Sequence, residues 1–350
     1  MTEVMCEPRS AAAEIPPETT EPRRVLPQTL AISWEQHRRT RELCAWLGLP
    51  LHEVTFSAPR LKRYARLAKQ TLSLVSQHRP KVLYVQNPSL ILSLLVLMAR
   101  PFLGRYKVIM DAHNEAVAPF THAYWPVTSL TRHALRSADV TIVTNAALAD
   151  QVRAVGGTPH VLPDRLPTPP FAPTEPPQLD GPLRVMVVAT YAADEPIAEI
   201  IEAARMLGEQ YQLSITGRET KLPAEQRARL PANVRQTGFL SEEAYWELMR
   251  DSHIVLDLTL KPNCLVCGAY ESLALRRPMV LTGNPATVDL FGKVALFPNE
   301  HDAASIAECL QRSRAQLAEL NASVLTEQPR FEQRWLEHGR RLRDRISSWL

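Results

Sequence analysis

Short runs of Val, Ile and Leu alternate along this chain with longer stretches whose apolar residues recur every three or four positions. Residues 29–33, 51–56, 81–86, 106–110, 140–144 and 160–162 form the β-rich runs. Between them, 35–47 and 61–78 carry apolar residues at helical spacing. Residues 89–99 predict a helix that is apolar nearly all round, either buried or facing a membrane, and the apolar stretch stops at Arg100-Pro101. After Leu162 the pattern breaks off. Seven prolines fall at 163, 167, 169, 170, 173, 176 and 177. Such a stretch continues neither a helix nor a central strand, and it is stiff and extended. The alternation then restarts with a Val- and Met-rich strand over 184–190. Asp194-Glu195-Pro196 opens a helix to 207, because acidic residues and proline suit a helix's first turn. Strands over 211–216 and 234–237 follow, then a helix start at Ser241-Glu242-Glu243 and a strand over 254–258. A helix over 270–275, strands over 279–282 and 294–297, and helices over 302–325 and 331–350 complete the series.

Strands alternating with helices predict parallel sheets covered on both faces. The expected class is α/β: two doubly wound, Rossmann-like domains facing across a cleft, with C-terminal helices. The expected boundaries are a polar disordered tail over 1–24, a first domain over 25–162 and a proline-rich linker over 163–182. A second domain follows over 183–328, then a helix over 329–350 that could cross back to the first. In such sheets ligands bind beyond the carboxyl ends of the strands.

Composition narrows the partners. The chain has 350 residues, enough for two domains, with 45% hydrophobic and 22% charged residues. A net charge of +3 makes no case for nucleic acid. Five cysteines, an odd number, predict a reducing compartment rather than a disulfide framework. No N-terminal h-region and no apolar run near the roughly 20 residues of a membrane span are present, so a cytoplasmic location is expected. The phosphate-loop, dinucleotide, hydrolase-elbow and zinc-protease motifs are missing, and so is any Asp-x-Asp pair. No metal or cofactor is therefore expected. Cys264-x-x-Cys267 stands alone, without the second pair that a zinc site needs.

Two segments carry candidate chemistry. Gly268 and Ala269 open a helix with little side chain, so an anion could approach the backbone N–H groups there. Asp111-Ala112-His113-Asn114-Glu115 emerges from the end of a strand in the first domain. Asp111 or Glu115 could take a proton from an acceptor hydroxyl, or Asp111 could simply cap local backbone. Arg38, Arg39 and Arg41, with Arg60, Lys62, Arg63 and Arg66, make the first third locally basic. That suits a lipid diphosphate or an anionic membrane, or equally a solvated set of helix faces.

Order and spacing of these blocks resemble the GT-B glycosyltransferases, in particular the group 1 or family 4 branch of bacterial surface-polysaccharide enzymes. The likeness rests on Ala189-Thr190-Tyr191 before Asp194-Glu195-Pro196, on Ser214 to Gly217, and on Thr237-Gly238-Phe239-Leu240. It rests further on Asp257-Leu258-Thr259, on the block from Gly268 to Val280, and on 111–115 and 138–145 in the first half. The resemblance implies that Glu271 holds the donor ribose, as the last Glu of the family's E-x7-E pattern. Asn263 stands where the first Glu of that pattern belongs. Thr190, Gly268 and Ala269 fall on the donor side, and backbone near Phe239 would read the base. Tyr191-Ala192-Ala193 stands where many relatives place Arg and Lys for the diphosphate. Arg218 is the first substitute cation, with Lys221 and Lys261 behind it. His113 would donate to the sugar or the leaving phosphate.

The expectation is thus a metal-independent glycosyltransferase. It would take a hexose from a UDP- or GDP-sugar to a glycan or polyprenyl-linked acceptor, in surface polysaccharide synthesis, with reversible contact to an anionic membrane. A nucleotide-sugar epimerase of the same fold and a non-catalytic GT-B subunit are the rival expectations.

Overall fold

The computed structural model describes residues 25–87, 90–112, 114–117, 125–262 and 264–350. The chain divides into two compact units. One takes in Met1–Pro163 and Glu337–Leu350; the other is Asp164–Leu336.

The first unit runs β1 (Thr29–Ser33), α1 (Arg38–Leu47), β2 (Leu51–Glu53), α2 (Arg60–His78), β3 (Val82–Asn87) and α3 (Leu90–Leu103). It continues with β4 (Lys107–Ala112), α4 (Asn114–Val117), α5 (Trp125–Ser137), β5 (Val140–Val143), α6 (Ala146–Ala154) and β6 (Pro159–Val161). The strands form one parallel sheet in the order β2-β1-β3-β4-β5-β6. Strands buried on both faces are largely apolar, which is why β3 to β5 centre on Val-Leu-Tyr-Val, Val-Ile-Met and Val-Thr-Ile-Val. On α3, Leu92 and Val96 enter the core while Ile91, Met98 and Phe102 stay exposed.

The second unit runs β7 (Leu183–Val187), α7 (Ile197–Leu207), β8 (Tyr211–Thr216), α8 (Ala224–Ala228), β9 (Val234–Gly238), α9 (Glu242–Asp251) and β10 (Ile254–Asp257). Then come α10 (Cys267–Ala274), β11 (Met279–Leu281), α11 (Pro285–Phe291), β12 (Ala295–Leu296), α12 (Ala303–Ala315) and α13 (Leu317–Ser347), whose part from Glu337 onward belongs to the first unit. Its sheet is again parallel, ordered β12-β11-β10-β7-β8-β9. α7 and α12 cover one face over Leu183, Val185, Val187, Leu213 and Ile215. On the other face Trp246 and Met249 of α9 pack on Met186 and Val255.

The proline-rich stretch lies against this second unit. Leu166 sits in an apolar cluster with Tyr270 and Phe331, and buried Arg277 donates to the Thr174 carbonyl and hydroxyl oxygens. The expected helix break near 325–331 is absent. Pro329 lies inside α13, where Val324 and Phe331 are both buried in that same cluster. Their burial offsets the one backbone bond the proline removes. The break comes instead at Gln316, which caps α12. Among the described residues no helix is long and apolar enough to cross a membrane.

Candidate functional site

β7, the first strand of the second unit, lies between β8 and β10. The strand order reverses there, the place at which doubly wound sheets bind ligands. Five segments end at this edge. They are Thr190-Tyr191 after β7, Gly217-Arg218 after β8, Gly238-Phe239 after β9, Asp257 at the end of β10, and the start of α10.

The loop after β7 is tightly built. Gly217 has φ +98°, and a Cβ there would stand 2.3 Å from the Ala189 carbonyl oxygen, so only glycine fits. Tyr191 takes φ +56°, uncommon for a residue with a side chain. Its hydroxyl accepts from Gln236 Nε2 at 2.9 Å, tying the loop to β9. Inside the loop the Glu195 carboxylate gathers three donors. Thr190 N–H lies at 2.9 Å, Thr190 Oγ1 at 2.7 Å and Ala192 N–H at 3.2 Å. Lys221 Nζ donates to the Thr190 carbonyl oxygen at 2.8 Å. Lys261 stands 3.7 Å from Asp194, which also accepts from Thr259 Oγ1 at 2.7 Å.

α10 starts against β10. The Gly268 N–H donates to Asp257 Oδ2 at 3.0 Å, and a Cβ at Gly268 would lie 2.4 Å from that oxygen. Asp257 is buried. Burial, then the nearby Glu195 and Glu271 carboxylates, push its carboxyl up to about 8, against the pull of the Gly268 N–H. It therefore carries a proton at neutral pH. Ala269 is fully buried and turns its N–H to the Val266 carbonyl oxygen. Glu271, one turn in, accepts at Oε2 from the Tyr245 hydroxyl at 2.6 Å. Burial and the Glu271 carboxylate raise the Tyr245 hydroxyl well above the ordinary tyrosine range, so it stays a donor. Phe239 is 68% exposed, with the Arg218 guanidinium 5.8 Å from its ring centre.

In the first unit the sheet order reverses between β1 and β3, where Ser33 Oγ donates to Gln86 Oε1. Beside them lies a buried polar group. Arg39 Nη2 stands 3.3 Å from Asp111 Oδ1 and donates to the Leu162 carbonyl oxygen at 2.8 Å. The Tyr84 hydroxyl donates to Asp111 Oδ2 at 2.7 Å. Asp111 is 1% exposed. His113 and Asn263, and the Glu115 side chain, lie outside the described residues.

Of the expected donor-side residues, Thr190, Arg218, Phe239, Gly268 and Glu271 all belong to segments at one sheet edge. Tyr245, Glu195, Asp257 and Arg39 were not singled out for these roles from the sequence. For Arg39 a signal was present: Arg39, Thr40, Leu43, Cys44 and Leu47 form one buried face of α1, and an arginine among them needs a buried anion. For Tyr245 no local pattern marked the contact.

Two parallel six-stranded sheets, each with a reversal at its first strand, define the GT-B fold. Solved structures share it. HepE from Anabaena in complex with UDP matches with a TM-score of 0.70 at 12% identity, over 91% of this chain and 99% of that one. Sucrose-phosphate synthase from Thermosynechococcus elongatus matches at 0.66 and 16% identity, over 86% and 84%. A glycosyltransferase from Rickettsia africae matches at 0.65 and 10% identity, over 91% and 89%. No family model matches the chain, and no curated protein does.

Proposed function

We propose that this protein is a glycosyltransferase that moves a hexose from a nucleotide-diphospho-sugar, UDP- or GDP-linked, to a glycan or lipid-linked acceptor in surface polysaccharide synthesis. The observation that carries this reading is Glu271, half-buried one turn into α10 at the strand-order reversal and oriented by the Tyr245 hydroxyl. A carboxylate accepts hydrogen bonds, which is the chemistry ribose hydroxyls ask for, while exposed Phe239, backed by Arg218, offers a face to the base. The fold shared with HepE in complex with UDP supports the same assignment.

In this scheme the acceptor oxygen bonds to the anomeric carbon as the bond to the diphosphate breaks, through an oxocarbenium-like transition state. Charge on the departing diphosphate is met by backbone N–H groups and Arg218. Asp111, held by Arg39 and Tyr84, and Glu115 are the two candidate bases, and His113 is the proposed donor to the sugar or leaving phosphate. Asn263 would hydrogen-bond donor sugar hydroxyls. Exposed Leu61, Met98 and Phe102, with exposed Arg60, Lys62, Arg63 and Arg66, support reversible contact of the first unit with an anionic membrane.

Calorimetric titration with UDP and GDP, followed by product mass after incubation with UDP-, GDP-, ADP- and dTDP-sugars, tests the reading. An acceptor heavier by one hexose supports it. A free altered sugar would make the protein an epimerase. Nucleotide binding with no turnover of any donor would make it a binding subunit.

A further inference from the structure

In doubly wound sheets the turn after the first strand presents backbone N–H groups to the phosphates of a nucleotide. Here that turn already holds an anion of the chain's own. Thr190 N–H, Thr190 Oγ1 and Ala192 N–H all donate to the Glu195 carboxylate, at 2.7–3.2 Å. The second backbone position at the same edge is likewise occupied. Gly268 N–H is taken by Asp257, and Ala269 N–H by the Val266 carbonyl oxygen. The neighbouring lysines are committed too, Lys221 to the Thr190 carbonyl oxygen and Lys261 toward Asp194.

We infer that Glu195 is an internal stand-in for the donor's phosphate, and that a nucleoside diphosphate binds by displacing it. This deepens, and rests on, the donor-site reading of the second unit. The argument is one of charge and geometry. A carboxylate and a phosphate oxygen make the same demand on N–H and O–H donors. A diphosphate that entered with Glu195 in place would put its negative charge against that carboxylate. Thr190 is exposed and Glu195 half-buried, so solvent and ligand reach the turn without moving a strand. Glu195 lies on the loop just before α7, so its side chain can swing out while the backbone stays. Glu195 is therefore a specificity-determining residue. It opposes the phosphates and leaves base and ribose recognition untouched.

The test compares UDP with uridine, and GDP with guanosine, by calorimetry on the full chain and on Glu195→Gln. The glutamine keeps the shape and removes the charge. Affinity for the diphosphate should rise about tenfold or more, which is about 1.4 kcal/mol, while the nucleoside changes by less than about twofold. Thermal unfolding establishes that the variant is folded. Should it not fold, Glu195→Asp draws the carboxylate back by one methylene and should shift the same ratio the same way. A diphosphate affinity that is unchanged or lower, or a gain shared equally by the nucleoside, overturns the inference and leaves Glu195 as a turn-building residue. If no nucleoside or nucleotide binds either protein, the donor-site reading itself falls, and the inference with it.

Discussion

Asp257 gives the sharpest quantitative test of this site. Its carboxyl is buried beside Glu195 and Glu271 and is pushed from an ordinary value of 3.8 to about 8. The folded chain therefore holds a proton that the unfolded chain releases above about pH 4. Stability from this group is fully present below the unfolded value and is lost as pH rises toward the folded one. The slope is about 1.4 kcal/mol per pH unit between roughly pH 5 and pH 7.5. Summed over the whole interval, the loss is on the order of 5 kcal/mol. Asp257→Asn keeps an oxygen for the Gly268 N–H but has nothing to titrate. Urea unfolding of the two proteins at half-unit steps from pH 5 to pH 9 isolates the effect, because every other group is common to both. The wild-type stability, taken relative to the variant, should fall with that slope and level off above about pH 8. Parallel curves would show that Asp257 titrates as an exposed carboxyl does, and would refute the burial argument.

Further outcomes follow from the same geometry. Glu271→Ala should weaken UDP or GDP binding by about 1.5–3 kcal/mol, the worth of hydrogen bonds to a charged group, in a chain that still folds; unchanged calorimetric affinity would remove the ribose assignment. Tyr245→Phe deletes one hydroxyl and should narrow the preference for UDP over 2′-deoxy-UDP while leaving the melting temperature nearly unmoved, since the ring keeps its place beside Trp246. Gly217→Ala drives a methyl into the Ala189 carbonyl at a positive φ and should destabilise the chain by about 2–4 kcal/mol in urea unfolding. The full chain should co-sediment with anionic vesicles at low salt and not with neutral ones; replacing Met98 and Phe102 by Ser should weaken that binding, and equal sedimentation with both vesicle types would set the charge argument aside.

Much of the fold is written locally. A parallel strand covered on both faces is apolar at most positions, so β3, β4, β7 and β10 stand out as runs rich in Val, Leu, Ile and Met. Two such series, separated by a proline-rich stretch, predict two doubly wound sheets from local pattern alone. The small residues at 268–269 mark the start of α10 for the same reason: that site belongs to one contiguous stretch. What only the tertiary structure decided are contacts between residues far apart in sequence. Glu271 meets Tyr245 across 26 positions, and Asp111 meets Arg39 across 72. No local propensity encodes either pairing, because each depends on which strand lies beside which. Glu195 is the instructive case, since it is only five residues from Thr190. In the sequence it reads as an acidic residue favouring a helix start. Tyr191, at positive φ, sits between the two residues whose N–H groups donate, and Gly217 without a side chain leaves room for the Ala189 carbonyl. The helix-start pattern gives Glu195 its place near α7, but the folded loop decides which donors its carboxylate meets.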